Sequence, residues 1–163
     1  MFTLRSVFIN MLCLTIGLVS GGMLFSRTQP RSVLAIQHCH HCLERKELAG
    51  LLASVGIQKF PGLLPDVVME TDHTLAMQLP STKGGTHYVL IPKKDMKNIG
   101  TVATEDAPYL IDLFGVAQHL ITANGLTEYQ LITNGPGYQD VSYLHFHLVT
   151  GIHTGHFFVS QCK

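Results

Sequence analysis

Charged side chains are scarce in this 163-residue chain: Asp, Glu, Lys and Arg make up 13% of it, while 46% is hydrophobic. An intrinsically disordered chain shows the opposite balance, so disorder over the whole length is excluded. Neither sign of charge prevails. Eleven Lys and Arg stand against eleven Asp and Glu, for a formal net charge of zero. That argues against a general nucleic-acid binder, which needs a basic excess to neutralise phosphates. Cysteine is sparse as well; four residues are too few for a scaffold built on disulfides. Tryptophan is missing altogether, whereas histidine occurs ten times. There is no internal repeat and no low-complexity tract, and the length fits one ordinary domain with a short addition.

The addition is at the N-terminus. From Ser6 to Ser26 there is no charged residue, and Val7, Phe8, Ile9, Leu12, Leu14, Ile16, Leu18 and Val19 make the stretch strongly apolar. Arg5 precedes it; Arg27 and Arg31 follow. As a helix, a run of this length crosses the roughly 30 Å hydrocarbon core of a bilayer. The same residues also fit a cleaved signal peptide, with Val7 to Val19 as its apolar region and Ser20-Gly21-Gly22 as its cleavage site. A buried core helix is a third reading. The chain is thus expected at a membrane through residues 6–26, or exported if the segment is removed. Basic residues flank both ends, so their distribution does not set an orientation. Thr28 to Ser32, with Pro30, reads as a linker. The expected organisation is 1–32 as anchor or signal with linker, and 33–163 as the globular domain.

Within that domain, Leu43 to Val55 has the apolar spacing of a helix, with Gly56 as its stop. Val67–Glu70 and Thr74–Gln78 are short β-rich runs joined by Thr71-Asp72-His73, a hairpin signal. His87 to Ile91 predicts a strand stopped by Pro92. The longest helix is predicted over Glu105–Asn124, with Thr104 as cap and Gly125 just beyond its end. Leu110, Leu113, Phe114, Ala117, Leu120 and Ile121 form its apolar stripe. Tyr129–Thr133 and Tyr143–Thr150 complete the strands, with Asn134-Gly135-Pro136-Gly137 as a loop between them. Strands on either side of one long helix indicate an α+β fold, a mostly antiparallel sheet covered by a helix.

The last predicted strand reads Tyr143-Leu144-His145-Phe146-His147-Leu148-Val149. Alternation places Tyr143, His145 and His147 on one face and Leu144, Phe146 and Leu148 on the other. Two imidazoles about 7 Å apart on one face can ligate a metal, act on a phosphate as nucleophile and donor, or simply face solvent. The polar loop upstream, Asn134 to Asp140, supplies backbone N–H groups and amides of the kind an anion site needs.

These residues resemble the histidine-triad (HIT) family, whose signature is His-φ-His-φ-His-φ-φ preceded by Gly-Gln-(Ser/Thr)-Val. Here Tyr138-Gln139-Asp140-Val141-Ser142 leads into Tyr143-Leu144-His145-Phe146-His147-Leu148-Val149. Upstream, Gly85-Thr86-His87-Tyr88-Val89-Leu90-Ile91-Pro92-Lys93-Lys94 looks like the family's strand with its Ile-Pro-Lys end. The resemblance covers roughly residues 67–151 and is closest to the nucleotide phosphoramidase and nucleotide hydrolase branches. It implies a HIT-like antiparallel sheet with one long helix packed on it, in a homodimer formed through that helix and a sheet edge. It also implies hydrolysis or transfer on a phosphate ester, anhydride or phosphoramidate of a nucleotide-like substrate, through a covalent nucleotidyl-histidine intermediate. No cofactor is then required for the reaction.

Residue by residue, the resemblance makes His145 the nucleophile, held through its other nitrogen by a main-chain carbonyl near Tyr143. His147 becomes a donor to a phosphate oxygen. Asn134, Gly137 and Gln139 contact phosphate and sugar, with His87 behind the site and Met77 and Leu79 lining it. Three positions depart from the family. Tyr143 replaces the first triad histidine, a supporting position. Asp140 stands where Ser or Thr neighbours the leaving group and is read as its proton donor. Leu79 stands where an acidic residue usually meets the ribose hydroxyls. Some members also bind structural zinc through a Cys-x-x-Cys, a histidine after the Pro-Lys pair and the first triad histidine. Here Cys39 and Cys42 have that spacing, and the other two positions are Asp95 and Tyr143, so Cys39, Cys42 and Asp95 are the candidate zinc ligands. A free thiol pair and a local disulfide remain open for the two cysteines. Two other functions stand beside the hydrolase: a non-catalytic nucleotide-binding module and a metal-binding membrane-associated protein.

Overall fold

The structure, a computed structural model, describes residues 4–29, 44–81 and 85–151. Its first element, α1 (Leu4–Phe25), has 22 residues. At 1.5 Å per residue that is about 33 Å of helix. Ser6–Phe25 is long and apolar enough to cross a membrane, and no part of it is buried within the protein. A core helix would be buried, so that reading of the segment is set aside.

The rest is a five-stranded sheet with a helix on each face. The strands are β1 (Val67–Glu70), β2 (Thr74–Gln78), β3 (His87–Pro92), β4 (Tyr129–Thr133) and β5 (Phe146–Thr150). Their order is β1-β2-β3-β5-β4, and every pairing is antiparallel. The fold is therefore α+β, as the sequence predicts. The β1–β2 hairpin is closed by Thr71, whose hydroxyl accepts from the backbone amides of His73 and Thr74 and donates to Asp112 on the long helix. One threonine thus shapes the turn and fastens it to the layer above.

That long helix is α3 (Ala107–Ala123). Its Leu113, Val116, Ala117 and Leu120 are buried against Ala76 of β2, Leu90 of β3 and Phe146 and Leu148 of β5. Burying a leucine this completely stabilises a fold by about 1.5–3 kcal/mol, so this layer is the main source of stability. The helix starts two residues later than its pattern suggests, after a short 3-10 turn at Thr104–Asp106. Thr104 is not its cap. Asp106 takes that place instead: its carboxylate accepts from the Ala103 amide and pairs with Lys94. Pro108, in the first turn, has no N–H to satisfy there. The predicted stop is where expected. Gly125 adopts φ +61°, and the Leu126 amide returns to the Ile121 carbonyl.

The opposite face of the sheet is partly covered by α2 (Arg45–Lys59). Ile57 of this helix packs with Leu75 of β2 and with Tyr143, flanked by Met77, Ile91 and Val141. The helix runs through Gly56 rather than stopping there, and the break comes at Phe60-Pro61, where proline cannot continue it. Two other bonds tie neighbouring segments to the sheet. The Ser142 amide donates to the Lys46 carbonyl of α2. The Gln29 amide, four residues beyond α1, donates to the buried Asp95 carboxylate.

Candidate functional site

Strand β5 begins at Phe146, three residues after the start that its sequence suggests. The delay has a local cause. The Tyr143 amide bonds back to the Val141 carbonyl, and the Leu144 amide donates to Met96, so this stretch makes a bend instead of a ladder. His145 closes the bend. Its Nδ1 lies 2.7 Å from the Tyr143 carbonyl oxygen, and its own carbonyl accepts from the Thr133 hydroxyl at the end of β4 at 2.9 Å. A carbonyl can only accept, so Nδ1 carries the proton. In the neutral ring the lone pair is then on Nε2, on the side away from the backbone.

His147 lies within the ladder, opposite Val89 of β3 and Ile132 of β4. Its neighbours Phe146 and Leu148 face α3, so alternation turns His147 to the other face, the one α2 covers in part. His87 of β3 is opposite Val149, one diagonal step from His147 on the same face. The diagonal is closed by a hydrogen bond: His87 Nε2 and His147 Nδ1 are 2.9 Å apart. The rings of His145 and His147 are 4.9 Å apart and nearly perpendicular. Three imidazoles thus form a continuous arc, His145–His147–His87.

Electrostatics keep two of them neutral. Burial pushes His147 down to about 4, helped by the neighbouring His145 and then His87. Burial lowers His87 too. At neutral pH the His87–His147 bond therefore holds a single proton between two uncharged rings. When His87 donates it, the second nitrogen of His147 carries a hydrogen and can donate to an anion.

The other candidate residues are distributed around this arc. The Leu79 amide donates to the His87 carbonyl, which continues the β2–β3 pairing and brings position 79 beside the site. Met77 is partly buried at the edge of the α2 cluster. Asn134 follows directly on β4, and the Tyr138 amide closes a turn onto the Gly135 carbonyl around the exposed Gly137. Gln139 is buried, with its side-chain Nε2 unpartnered among the described residues, and Asp140 is exposed.

Tyr143 is a correction. It lies on the histidines' side of the sheet, the side α2 covers, as alternation predicts, but its side chain is buried there instead of lining an open site. It is 2% exposed, packs with Ile57 and Leu75, and its hydroxyl donates to the Pro92 carbonyl at 2.9 Å. The cover that Ile57 of α2 lays over this part of the face is the reason. What Tyr143 gives the site is its carbonyl. Sequence reasoning missed Thr133 and the direct His87–His147 link. Both depend on strand register, which a single sequence does not carry.

Of the candidate zinc ligands, Cys39 and Cys42 lie outside the described residues. Asp95 is buried and accepts the Gln29 amide, and the Tyr143 hydroxyl is engaged by Pro92. Among the described residues no three His, Cys, Asp or Glu side chains converge on a metal position.

Known proteins are similar to this chain. The family model described as "Scavenger mRNA decapping enzyme C-term binding" matches residues 64–162. A HIT family hydrolase from Legionella pneumophila Philadelphia 1 is 33% identical, with 58% of this chain aligned to 89% of that one at a TM-score of 0.52. A HIT family hydrolase from Clostridium thermocellum aligns over 72% of this chain and 99% of its own at a TM-score of 0.54. At 24% identity, the second speaks for the fold alone. With the sheet, the long helix and the histidine arc in place, the chain belongs to the histidine-triad family, through the scavenger decapping C-terminal domain that spans most of its folded part.

Proposed function

We propose that the protein is a hydrolase or transferase of nucleotide-like phosphate compounds, with His145 as its covalent nucleophile. One observation carries the reading: the Tyr143 carbonyl holds the proton of His145 on Nδ1 and leaves Nε2 with a lone pair. That lone pair attacks phosphorus. The N–P bond forms as the bond to the leaving group breaks; the leaving group departs with the electron pair and takes up a proton from Asp140 or solvent. Water then attacks the nucleotidyl-histidine: an O–P bond forms, the N–P bond breaks with its electron pair returning to Nε2, and the proton of the water passes to Asp140 or solvent. His147, kept neutral and hydrogen-bonded to His87, donates to a phosphate oxygen as charge builds on it. Gln139 has a buried N–H without a partner among the described residues for the same anion, and Asn134 and Gly137 line the approach. The similarity to the HIT family hydrolase from Legionella pneumophila supports the reaction class.

A nucleotide-binding module without turnover is the second reading. It is favoured by Leu79, whose amide bonds His87 but whose side chain offers no carboxylate to ribose hydroxyls. We take residues 33–163 as the functional unit and residues 6–26 as its membrane anchor. We take the assembly as a homodimer through α3, which exposes Ile111 and Phe114, and the sheet edge at β4. Cys39, Cys42 and Asp95 remain the proposed zinc ligands, with no part in the reaction.

The test is a panel of nucleotide esters, anhydrides and phosphoramidates offered to the full chain, with acid-labile label on His145 followed by mass spectrometry. Turnover with a trapped adduct on His145 supports the hydrolase. Binding with neither turnover nor adduct supports the second reading.

A further inference from the structure

Helix α2 is apolar on two sides. One side, with Leu51 and Ile57, packs into the domain. The other carries Leu48 and Leu52 one turn apart, and Leu52 is 62% exposed. The apolar surface continues beyond the helix through Phe60 to Leu63, which is 81% exposed. Single exposed leucines need no explanation, but exposed Leu48, Leu52, Phe60 and Leu63 along one helix and its following turn do. Basic side chains lie at both ends of the row, Arg45 at the start of the helix and Lys59 at its end. This is the pattern of a helix that rests in a membrane interface, with its apolar row among the acyl chains and its cations at headgroup level.

Two observations identify the bilayer as the occupant of this face. Helix α2 is in contact with α1, the helix long and apolar enough to span. A segment touching a spanning helix is itself at the membrane. Its charged residues Glu44, Arg45 and Lys46 keep it out of the hydrocarbon core, which leaves the interface. The segment after α1 is also short and pinned. Gln29, four residues past Phe25, is bonded to Asp95 in the folded domain, so the domain is held within about 14 Å of the end of the span.

We propose that α2 and the turn to Leu63 form a membrane-docking surface, with Leu48, Leu52, Phe60 and Leu63 in the outer acyl region and Arg45, Lys59 and the exposed Arg27 among the lipid phosphates. The proposal rests on the reading of α1 as a membrane span. It fixes the orientation of the domain. Because α2 covers the sheet face that carries His145, His147 and His87, the histidine arc opens beside the bilayer and α3 points away from it.

The absence of tryptophan from the chain makes the test direct. Single-tryptophan variants of the full chain, Leu52→Trp, Leu63→Trp, Leu18→Trp within α1 and Glu105→Trp just before α3, are reconstituted in vesicles of phosphatidylcholine and phosphatidylglycerol. All four positions are exposed, so the substitutions leave the core untouched. Brominated acyl chains should lower the emission of Leu18→Trp strongly. Those of Leu52→Trp and Leu63→Trp should fall by about twofold, as fits a depth of about 5–10 Å, with blue-shifted maxima. Glu105→Trp should respond only to aqueous acrylamide. Quenching of Leu52→Trp and Leu63→Trp by acrylamide and not by bromolipid, with Leu18→Trp still quenched by bromolipid, overturns the docking while leaving the span intact. Protection from both quenchers assigns the face to a second copy or another protein and overturns it too. If Leu18→Trp escapes bromolipid, the span reading fails and the docking falls with it.

Discussion

His87 and His147 share one proton across 2.9 Å, between rings that burial keeps uncharged. The proton on this bond determines which nitrogen of His147 is offered to a substrate. Replacing His87 with Leu removes the partner and frees the His147 tautomer. The expected cost is about tenfold in kcat, the scale of one hydrogen bond to a buried group, with KM little changed. His87→Gln, which retains an N–H donor, should recover part of the loss. Equal loss in both variants would point to packing instead of proton placement.

Substitution at the nucleophile has a larger effect. His145→Asn leaves a polar group of similar size on a bend fixed by Thr133, so the denaturation midpoint should hardly move. Turnover should fall by several orders of magnitude, since no neighbouring group can form the intermediate. His147→Asn removes one donor to the developing charge and should cost about 10²–10³-fold. Pre-steady-state measurements separate the two: His145→Asn forms no adduct, while His147→Asn forms it slowly.

Tyr143→Phe is a stability variant. It removes a buried hydroxyl from the Pro92 carbonyl and leaves that carbonyl short of a partner, for about 1–2 kcal/mol. Activity in folded protein should remain near wild type, because the main-chain carbonyl that holds His145 is unchanged. A large loss of turnover without loss of stability would give the phenol a role in the site.

Acid should weaken the fold through His147. Its value in the folded protein, about 4, is below the ordinary 6.5 of an unfolded histidine. Between these limits the unfolded chain binds more protons, so stability rises with pH. The contribution is fully present above about 6.5 and disappears as pH falls towards 4. The ring is half-exposed, so the effect is on the order of 1–2 kcal/mol after screening. Urea midpoints at pH 7 and pH 5 should differ in wild type, and the difference should shrink in His147→Gln.

Gly85 has a steric reason to be glycine. A Cβ there would lie 2.1 Å from the Thr150 carbonyl oxygen, where the Thr86 amide and Thr150 hydroxyl join the ends of β3 and β5. Gly85→Ala should destabilise by about 2–3 kcal/mol, in the range of overpacked sites, and lower the melting temperature by several degrees. A variant as stable as wild type would mean that this junction relaxes freely.

Much of this architecture was legible in the sequence because it rests on local rules. The hairpin at Thr71–His73, the strand stopped near Pro92 and the helix closed by Gly125 follow from turn chemistry, proline and positive φ. The histidine arc was only half legible. Alternation places Tyr143 and His147 on one side of the sheet, but it cannot foresee that α2 buries the Tyr143 side chain there, nor the bend made by the Tyr143 amide and the His145 ring. The His87–His147 bond joins residues 60 positions apart and needs the β3–β5 register. Thr133 escaped notice for the same reason: its partner, the His145 carbonyl, is set by how β4 lies beside β5.

The acceptor for the His145 proton is a main-chain oxygen, and its consequence is one of inheritance. A side-chain acceptor can be lost in a single codon change; this one is supplied by whatever residue occupies position 143. Tyrosine can stand where the family has histidine because the lineage can exchange the side chain, turn it inward and use it as ballast for a second core, while the orientation of the neighbouring imidazole is transmitted unaltered. The first letter of the triad is thus free to drift without rewriting the second.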